Sequence, residues 1–232
     1  MAEGGFEIIN TNNHVIIDSR FFNYALISKH TLVFQNAGGP VTGGYGNQAF
    51  LTVQGDAPIV AARCAHPFTV CRARPVAGGF EFGFISRHGA GAAPGDTIEV
   101  FVFDRPHATG LYGMQTFDAQ GRIVYDSTRK YMRVADFRTT PGVSPSAQVR
   151  IAGSGQYAYA VTRPAYRWHG VQVTPTAPWQ WACSTGFVYS RGDGYDIESW
   201  NSGEGTYAAF GHPAPVAVGN GMDVMVVDVS GL

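Results

Sequence analysis

The chain has 232 residues, of which 45% are hydrophobic and only 14% are charged, whereas about a quarter of the residues are charged in an average globular protein. Its thirty glycines and thirteen prolines follow no collagen period, so they favour many short strands joined by tight turns over a helical bundle. The net charge of −1 provides no basic field for binding nucleic acid or an anionic membrane surface.

The N-terminus and the cysteines indicate synthesis in a reducing cytoplasm. Residues 1–5 carry no basic segment ahead of an apolar one, so no secretory signal is predicted. No run approaches the roughly 18 apolar residues of a transmembrane helix, so we expect no membrane insertion. The three cysteines, Cys64, Cys71 and Cys183, are an odd number without a disulfide framework.

A segment at the N-terminus is echoed in the middle of the chain. Residues 5–19 have the sequence GFEIINTNNHVIIDS, and residues 113–127 have the sequence GMQTFDAQGRIVYDS. Both predict a strand, a turn and a second strand that ends in Asp-Ser. The turn residues Asn13 and Gly121 tolerate the positive φ that a tight hairpin turn requires. Two unrelated hairpins would share several of these features, so this pair alone does not establish a repeat.

A second echo favours a duplication. Residues 98–104 have the sequence IEVFVFD, residues 222–228 have the sequence MDVMVVD, and each segment follows a turn that contains Gly. The two pairs of segments occur in the same order along the chain, as a tandem duplication with an insertion in the second copy would produce. The sequence therefore predicts an all-β protein of two tandem β-sandwich-like domains, residues 1–108 and 109–232.

The stretches between these markers also favour strands. They are short, rich in β-branched and aromatic residues and bounded by Gly or Pro, and they cover residues 50–53, 58–64, 68–74, 80–85, 148–151, 156–161, 170–174 and 181–189. Two long loops are predicted after the equivalent hairpins, at residues 36–47 and 137–146. Because long loops lie on the surface, we expect both loops to contact a partner.

No set of residues predicts catalysis, a cofactor or a metal site. The chain has no G-x-S-x-G elbow and no phosphate-binding loop that ends in Lys-Ser/Thr. Asp18 and Asp126 are explained as one turn-capping position that occurs twice. Cys64, His66 and Cys71 would need a fourth ligand from elsewhere, such as His88 or His30, to form a structural zinc site. The two cysteines are expected instead to face a core as small apolar groups. The protein is therefore predicted not to be an enzyme.

Aromatic residues concentrate in the second half, which contains all four tryptophans. Such a cluster belongs either to the core of a sandwich or to an exposed platform for a protein partner or for sugar rings. Trp200 lies in a polar segment and is the better candidate for exposure. The candidate partner or receptor contacts are Trp200, Trp168 and Tyr195, together with Tyr45 in the Gly-rich loop.

The first hairpin resembles a motif of small β-rich virion proteins of tailed bacteriophages, which are often encoded near tail-fibre or tail-tip genes. The motif stands here as GFEIIN from Gly5 to Asn10 and as VIIDS from Val15 to Ser19. Asn13 replaces the usual turn glycine of that family, which Gly121 supplies in the echo. The resemblance covers the N-terminal hairpin and, more weakly, the echo.

The resemblance implies a structural or host-recognition component of the tail tip, baseplate or tail fibre, made in the cytoplasm of the bacterial host and located in the virion. The implied partners are other phage tail proteins and a bacterial surface receptor, which is a pilus, a protein or a glycan. Low charge, paired long loops and the multiple copies of virion proteins together predict a homotrimer. We expect residues 1–108 to anchor on the virion and residues 109–232 to face outward. The alternative is a lectin-like glycan-binding module without catalytic activity.

Overall fold

The all-β class is confirmed by a computed structural model of the chain. The structure describes residues 7–9, 11, 15–18, 23–36, 46–87, 91–107, 113–142, 146–151, 155–171, 179–191, 194–207 and 221–232. All strand pairs among these residues are antiparallel. None of the same residues forms a helix that is long and apolar enough to cross a membrane.

The strands divide between the two halves of the chain. Those of the first half are β1 (Glu7–Ile9), β2 (Val15–Asp18), β3 (Ala25–Val33), β4 (Gln48–Val53), β5 (Ile59–Arg63), β6 (Phe68–Val76), β7 (Gly79–Ser86) and β8 (Thr97–Asp104). Those of the second half are β9 (Gln115–Phe117), β10 (Ile123–Asp126), β11 (Arg133–Thr140), β12 (Ala147–Arg150), β13 (Tyr157–Arg163), β14 (Tyr166–Val171), β15 (Trp179–Arg191), β16 (Gly194–Tyr207) and β17 (Met222–Asp228).

Two large sheets each combine strands from both halves. One sheet has the order β11-β17-β13-β5-β8-β3, and the other has the order β12-β16-β15-β6-β7-β4 with β14 paired to β15. The halves meet in the middle of each sheet, where Tyr159 lies opposite Ala62 and Val188 lies opposite Phe68. From this junction outward, the strands of one half occur in the same order as their counterparts in the other half.

Equivalent irregularities support the duplication. The β1–β2 hairpin skips Ile16 in its register, and the β9–β10 hairpin skips Val124. The β3–β8 pair skips Ile27, and the β11–β17 pair skips Ala135. In each case the second residue lies 108 positions after the first. A β-bulge alters the local direction of a strand and is thus a specific feature of a backbone. Its occurrence at two equivalent positions in both halves indicates that the halves arose by duplication.

The two halves do not form separate tandem domains, because they share one core as well as both sheets. The main core packs the two sheets face to face and includes Phe84 and Val100 from the first half, and Tyr195 and Val224 from the second. Neither half could bury its inner face to this extent without the other. The arrangement is therefore a single β-sandwich made of two repeats.

A second core lies on the other face of the six-stranded sheet. Alternate residues of a strand point to opposite faces, so Val100 and Val102 of β8 enter the main core while Phe101 and Phe103 enter the second core. The sheet curls around this second core until its two ends meet, where Ala25 lies opposite Tyr131. Every central strand of this sheet is consequently apolar on both faces.

Aspartates at the ends of strands accept hydrogen bonds from the backbone of turns and connections. The buried carboxylate of Asp104 accepts hydrogen bonds from the backbone amides of Asp56 (2.8 Å) and Ala57 (3.1 Å). The carboxylate of Asp126 accepts hydrogen bonds from the hydroxyl (2.6 Å) and the amide (2.9 Å) of Thr128. These bonds lower the pKa of Asp126. The turn-capping role predicted for Asp126 is confirmed, whereas the side chain of Asp18 lies outside the described residues.

Two features of the second half depart from the predicted elements. The insertion in the second copy corresponds to β14 and to the extra length of the β15–β16 hairpin, whose strands are the counterparts of β6 and β7. The predicted loop at residues 137–146 is wrong over its first part, because residues 137–140 complete β11. Phe137 and the two threonines that follow Arg138 are good strand formers, and the strand ends only at Pro141.

Candidate functional site: the β11 edge and the adjoining cleft

A surface role for Tyr195 is wrong, because its side chain is buried in the main core. Its ring packs against that of Tyr159 at 5.3 Å between centroids. Its hydroxyl donates a hydrogen bond to Oδ2 of Asp136 at 3.2 Å. Burial and the nearby Asp136 carboxylate raise the pKa of Tyr195. Tyr195 is therefore a structural residue that fixes Asp136 of β11.

The other three predicted contact residues are not brought together among the described side chains. Trp200 lies on β16 and is half-buried, and the guanidinium carbon of Arg87 lies 3.4 Å from the centre of its ring. A partner would therefore have to displace Arg87 to reach that face of the ring. Trp168 belongs to β14 and lies opposite Cys183 of β15. Its side chain is outside the described part of the structure. Tyr45 lies outside the described residues.

The most exposed apolar side chains of the described residues lie on β11. This strand stands at one end of the six-stranded sheet, and every residue of Arg133–Thr139 except Asp136 is classed as exposed. Val134 exposes 52% of its surface and Phe137 exposes 54%. An edge strand leaves a row of backbone N–H and C=O groups available for pairing. The sequence predicts a partner-contacting loop that begins at Phe137, but it does not predict that residues 133–140 form an edge strand.

The exposed side chains of β11 continue the apolar face of the second core. Val134 lies opposite Val227 of β17, and Phe137 lies opposite Met225. Val227 is buried in the second core, and Met225 packs against it. Residues paired in this way lie side by side on the same face of a sheet. Val134 and Phe137 therefore extend that apolar surface to the free edge.

The opposite face of β11 carries a charged pair. Nε of Arg138 donates a hydrogen bond to Oδ2 of Asp136 at 3.1 Å, and the same oxygen accepts the hydrogen bond from Tyr195. Asp136 is thus held by a buried hydroxyl on one side and by an exposed cation on the other. β11 consequently presents an apolar side chain between two fixed opposite charges, in the order Asp136, Phe137, Arg138.

A cleft lies beside the start of β11, where the two ends of the sheet meet. Its volume is about 640 Å³, and its lining includes Tyr24, Tyr125, Tyr131, Lys130 and Arg133. The rings of Tyr125 and Tyr131 are stacked, with centroids 4.9 Å apart and planes 14° apart. Burial raises the pKa of both Tyr24 and Tyr131. The cleft therefore combines aromatic surface with the exposed cations of Lys130 and Arg133, and Arg133 is paired with Asp228 at 3.4 Å.

The Cys/His segment forms no metal centre among the described residues, which hold no cluster of three or more His, Cys, Asp or Glu side chains positioned for a metal ion. Cys64 is buried in the main core, as expected, and burial raises the pKa of its thiol. The expectation that Cys71 also faces a core is wrong, because Cys71 is exposed. His66 is paired with Asp96 at 3.1 Å between Nε2 and Oδ2.

Comparison of the chain with protein-family models, with curated proteins and with solved structures found no match.

Proposed function

We propose that the chain is a structural subunit of the tail tip, baseplate or tail fibre of a tailed bacteriophage, present in several copies. The observation that carries the assembly role is β11, an exposed edge strand with Val134 and Phe137 on its surface. Proteins that remain monomeric commonly protect such an edge with charge, proline or a covering segment. On β11 the face that carries Val134 and Phe137 is left apolar, which suits contact between subunits.

The assignment to a phage virion rests on the resemblance of the first hairpin, from Gly5 to Ser19. In this proposal residues 1–108 dock on other tail proteins, and residues 109–232 face outward toward a receptor on the bacterial surface. Each function needs rigid surfaces rather than a reactive site. A sandwich that is apolar on both faces of one sheet provides such rigidity.

The experiment is detection of the protein in particles. Virions purified by density gradient would be analysed by mass spectrometry, and antibody against the chain would be imaged on them by electron microscopy. We expect several copies at one end of the tail. Absence from purified virions, or a single copy for each particle, would refute the proposal.

The cleft favours a second function, which is binding of a glycan without catalysis. Sugar rings stack on aromatic side chains, and Tyr24, Tyr125 and Tyr131 line a space of the size that small ligands occupy. Lys130 and Arg133 would select acidic sugars.

A glycan array followed by calorimetry tests this second function. We expect Tyr125→Ala to abolish any binding that occurs in the cleft, while Phe137→Lys, outside the cleft, leaves it unchanged. Lack of binding to every acidic glycan on the array would exclude this function.

A further inference from the structure

We propose that β11 pairs with β11 of a second copy of the chain, antiparallel and about a two-fold axis at Phe137. This inference rests on the proposed assembly role and names the partner of that surface. The two six-stranded sheets would join edge to edge into one continuous sheet. The product is a two-fold dimer, which differs from the trimer that the sequence favours.

The backbone of β11 is available for this pairing. The strand is eight residues long, and among the described residues it pairs only with β17. The contact between the two ends of the sheet involves Tyr131 and Met132, which precede β11, and no described residue pairs with the outer edge of Arg133–Thr140. Two antiparallel edges of this length can exchange a full ladder of backbone hydrogen bonds.

In this register the side chains of β11 in one copy complement those of β11 in the other copy. With Phe137 opposite Phe137 of the second copy, each Asp136 lies opposite an Arg138. Asp136 and Arg138 share one face of the strand and Phe137 occupies the other, since β11 keeps a regular register with Met225, Val224 and their neighbours from Asp136 onward. Opposite charges and aromatic pairs that face each other across strands are stabilising. A register shifted by one residue would place Arg138 against Phe137 and lose both pairings.

The equivalent strand in the first half lacks these properties. Lys29 stands at the position of Phe137, 108 residues earlier, and its Nζ pairs with Oε1 of Glu99 at 3.2 Å. Pairing β3 with itself about this position would bring two lysines together. A lysine in the middle of an edge strand is a common device against association. Of the two edges, β3 therefore carries a protecting lysine at its centre, whereas β11 carries an exposed phenylalanine at the equivalent position.

The first experiment measures the mass of the full chain in solution by sedimentation equilibrium. We expect a dimer that dissociates on dilution. Phe137→Lys should weaken the association by about tenfold or more, because it removes the central aromatic contact and places two like charges together. Thr31→Glu, an exposed change on β3, is the matched control and should leave the association unchanged. A monomer at all concentrations, a trimer, or a dimer that is insensitive to Phe137→Lys would overturn the proposal.

The second experiment tests the register by disulfide trapping. Residues directly opposite in an antiparallel pair have Cα atoms about 4.5–5.5 Å apart, within the range of about 4.4–6.8 Å that a disulfide spans. Phe137→Cys should therefore give a covalent dimer on mild oxidation. Thr139→Cys should not, because its counterpart in this register is residue 135. Trapping of Thr139→Cys and not of Phe137→Cys would refute the proposed axis.

The outcome is separable from that of the proposed function. A dimer that Phe137→Lys dissociates, made by a chain that is absent from virions, would support the pairing and refute the phage role. The opposite outcome is a chain that is abundant in virions, in which Thr139→Cys forms a disulfide-linked dimer and Phe137→Cys does not. That outcome would support the phage role and refute the pairing.

Discussion

The edge strands β3 and β11 occupy equivalent places in the two halves and differ at their centres. The strands next to each edge strand keep an ion pair at equivalent positions. It joins Arg63 to Glu99 in the first half and Arg163 to Asp223 (2.9 Å) in the second. In the first half, Lys29 of β3 lies 5.0 Å from the centre of the Phe101 ring. At the corresponding position β11 carries Phe137, whose side chain is exposed. A duplicated backbone can therefore keep its pairing while one substitution replaces a charged side chain at the centre of an edge strand with an exposed apolar one.

The halves also differ in how they fill the second core. The first half supplies Phe101 and Phe103 from β8, whereas β17 supplies Met225 and Val227 at the same places in the register. The first half therefore contributes the larger side chains at these equivalent positions. We expect the first half to contribute more to the stability of the shared structure.

The largest expected effect follows from that asymmetry. Phe103→Ala should lower the free energy of unfolding by about 3–5 kcal/mol, because it leaves a cavity where a buried ring packs. Val227→Ala at the equivalent position should cost about 2 kcal/mol, since it removes less buried apolar volume. Denaturant unfolding monitored by tryptophan fluorescence measures both. Equal losses of unfolding free energy in the two variants would mean that the two halves contribute equally to stability at these positions.

The turns before β8 and β17 offer a second contrast. Gly95 and Gly221 both have positive φ, 102° and 82° respectively. A Cβ at Gly221 would lie 2.2 Å from the carbonyl oxygen of Thr140, whereas a Cβ at Gly95 would meet no atom within 4 Å. Gly221→Ala should therefore cost about 2–4 kcal/mol, and Gly95→Ala about 1 kcal/mol. Thermal denaturation of the two variants would contradict this ordering if the midpoints fell by the same amount.

The hairpins provide a test through pH. Hydrogen bonds from the side chain and the amide of Thr128 lower the pKa of Asp126, so the folded state favours the charged carboxylate. The stability from this group is therefore complete above the ordinary pKa of about 3.9 and is lost as the pH falls through the lowered value. Asp126→Asn should cost about 1.5 kcal/mol at neutral pH and flatten the decline in stability below about pH 4.

The same experiment extends the comparison to the first hairpin. Asp18 holds the position 108 residues before Asp126, so Asp18→Asn should produce the same change in the pH profile. Urea unfolding at a series of pH values gives both profiles. A normal profile for Asp18→Asn beside an altered one for Asp126→Asn would show that the two hairpins have diverged.

The smallest effects are expected at the two retained ion pairs. Both pairs are partly solvated, so Glu99→Gln and Asp223→Asn should each cost less than about 1 kcal/mol. The cost should be larger at Glu99, which also pairs with Lys29, and both costs should shrink at high salt. Urea midpoints at low and high salt measure these differences. A larger loss of stability for Asp223→Asn than for Glu99→Gln would contradict this prediction.

Part of the candidate site was accessible from the sequence and part was not. The sequence places Phe137 in a surface loop, but its position on an edge strand could not be predicted. That position depends on β11 lying at the end of a six-stranded sheet whose order is set by pairings between distant strands. Tyr195 is a candidate contact only as a member of the aromatic cluster of the second half, which fits either a core or an exposed platform. Its burial follows from the alternation of β16, which directs Tyr195 and Ile197 inward to the main core. The cleft likewise exists only where Tyr24 and Met132, far apart in the chain, are brought together.

The sequence by itself determined the all-β class, the duplication and the capping role of Asp126, since strand periodicity, turn residues and hydrogen-bonding side chains act over a few neighbouring residues. Only the tertiary structure decided that the repeats merge into one sandwich rather than fold as two domains. The pairings of Ala62 with Tyr159 and of Phe68 with Val188 join edges that each repeat would otherwise expose. The free energy of such joining depends on the apolar area buried between distant segments, and no local pattern in either repeat records that area.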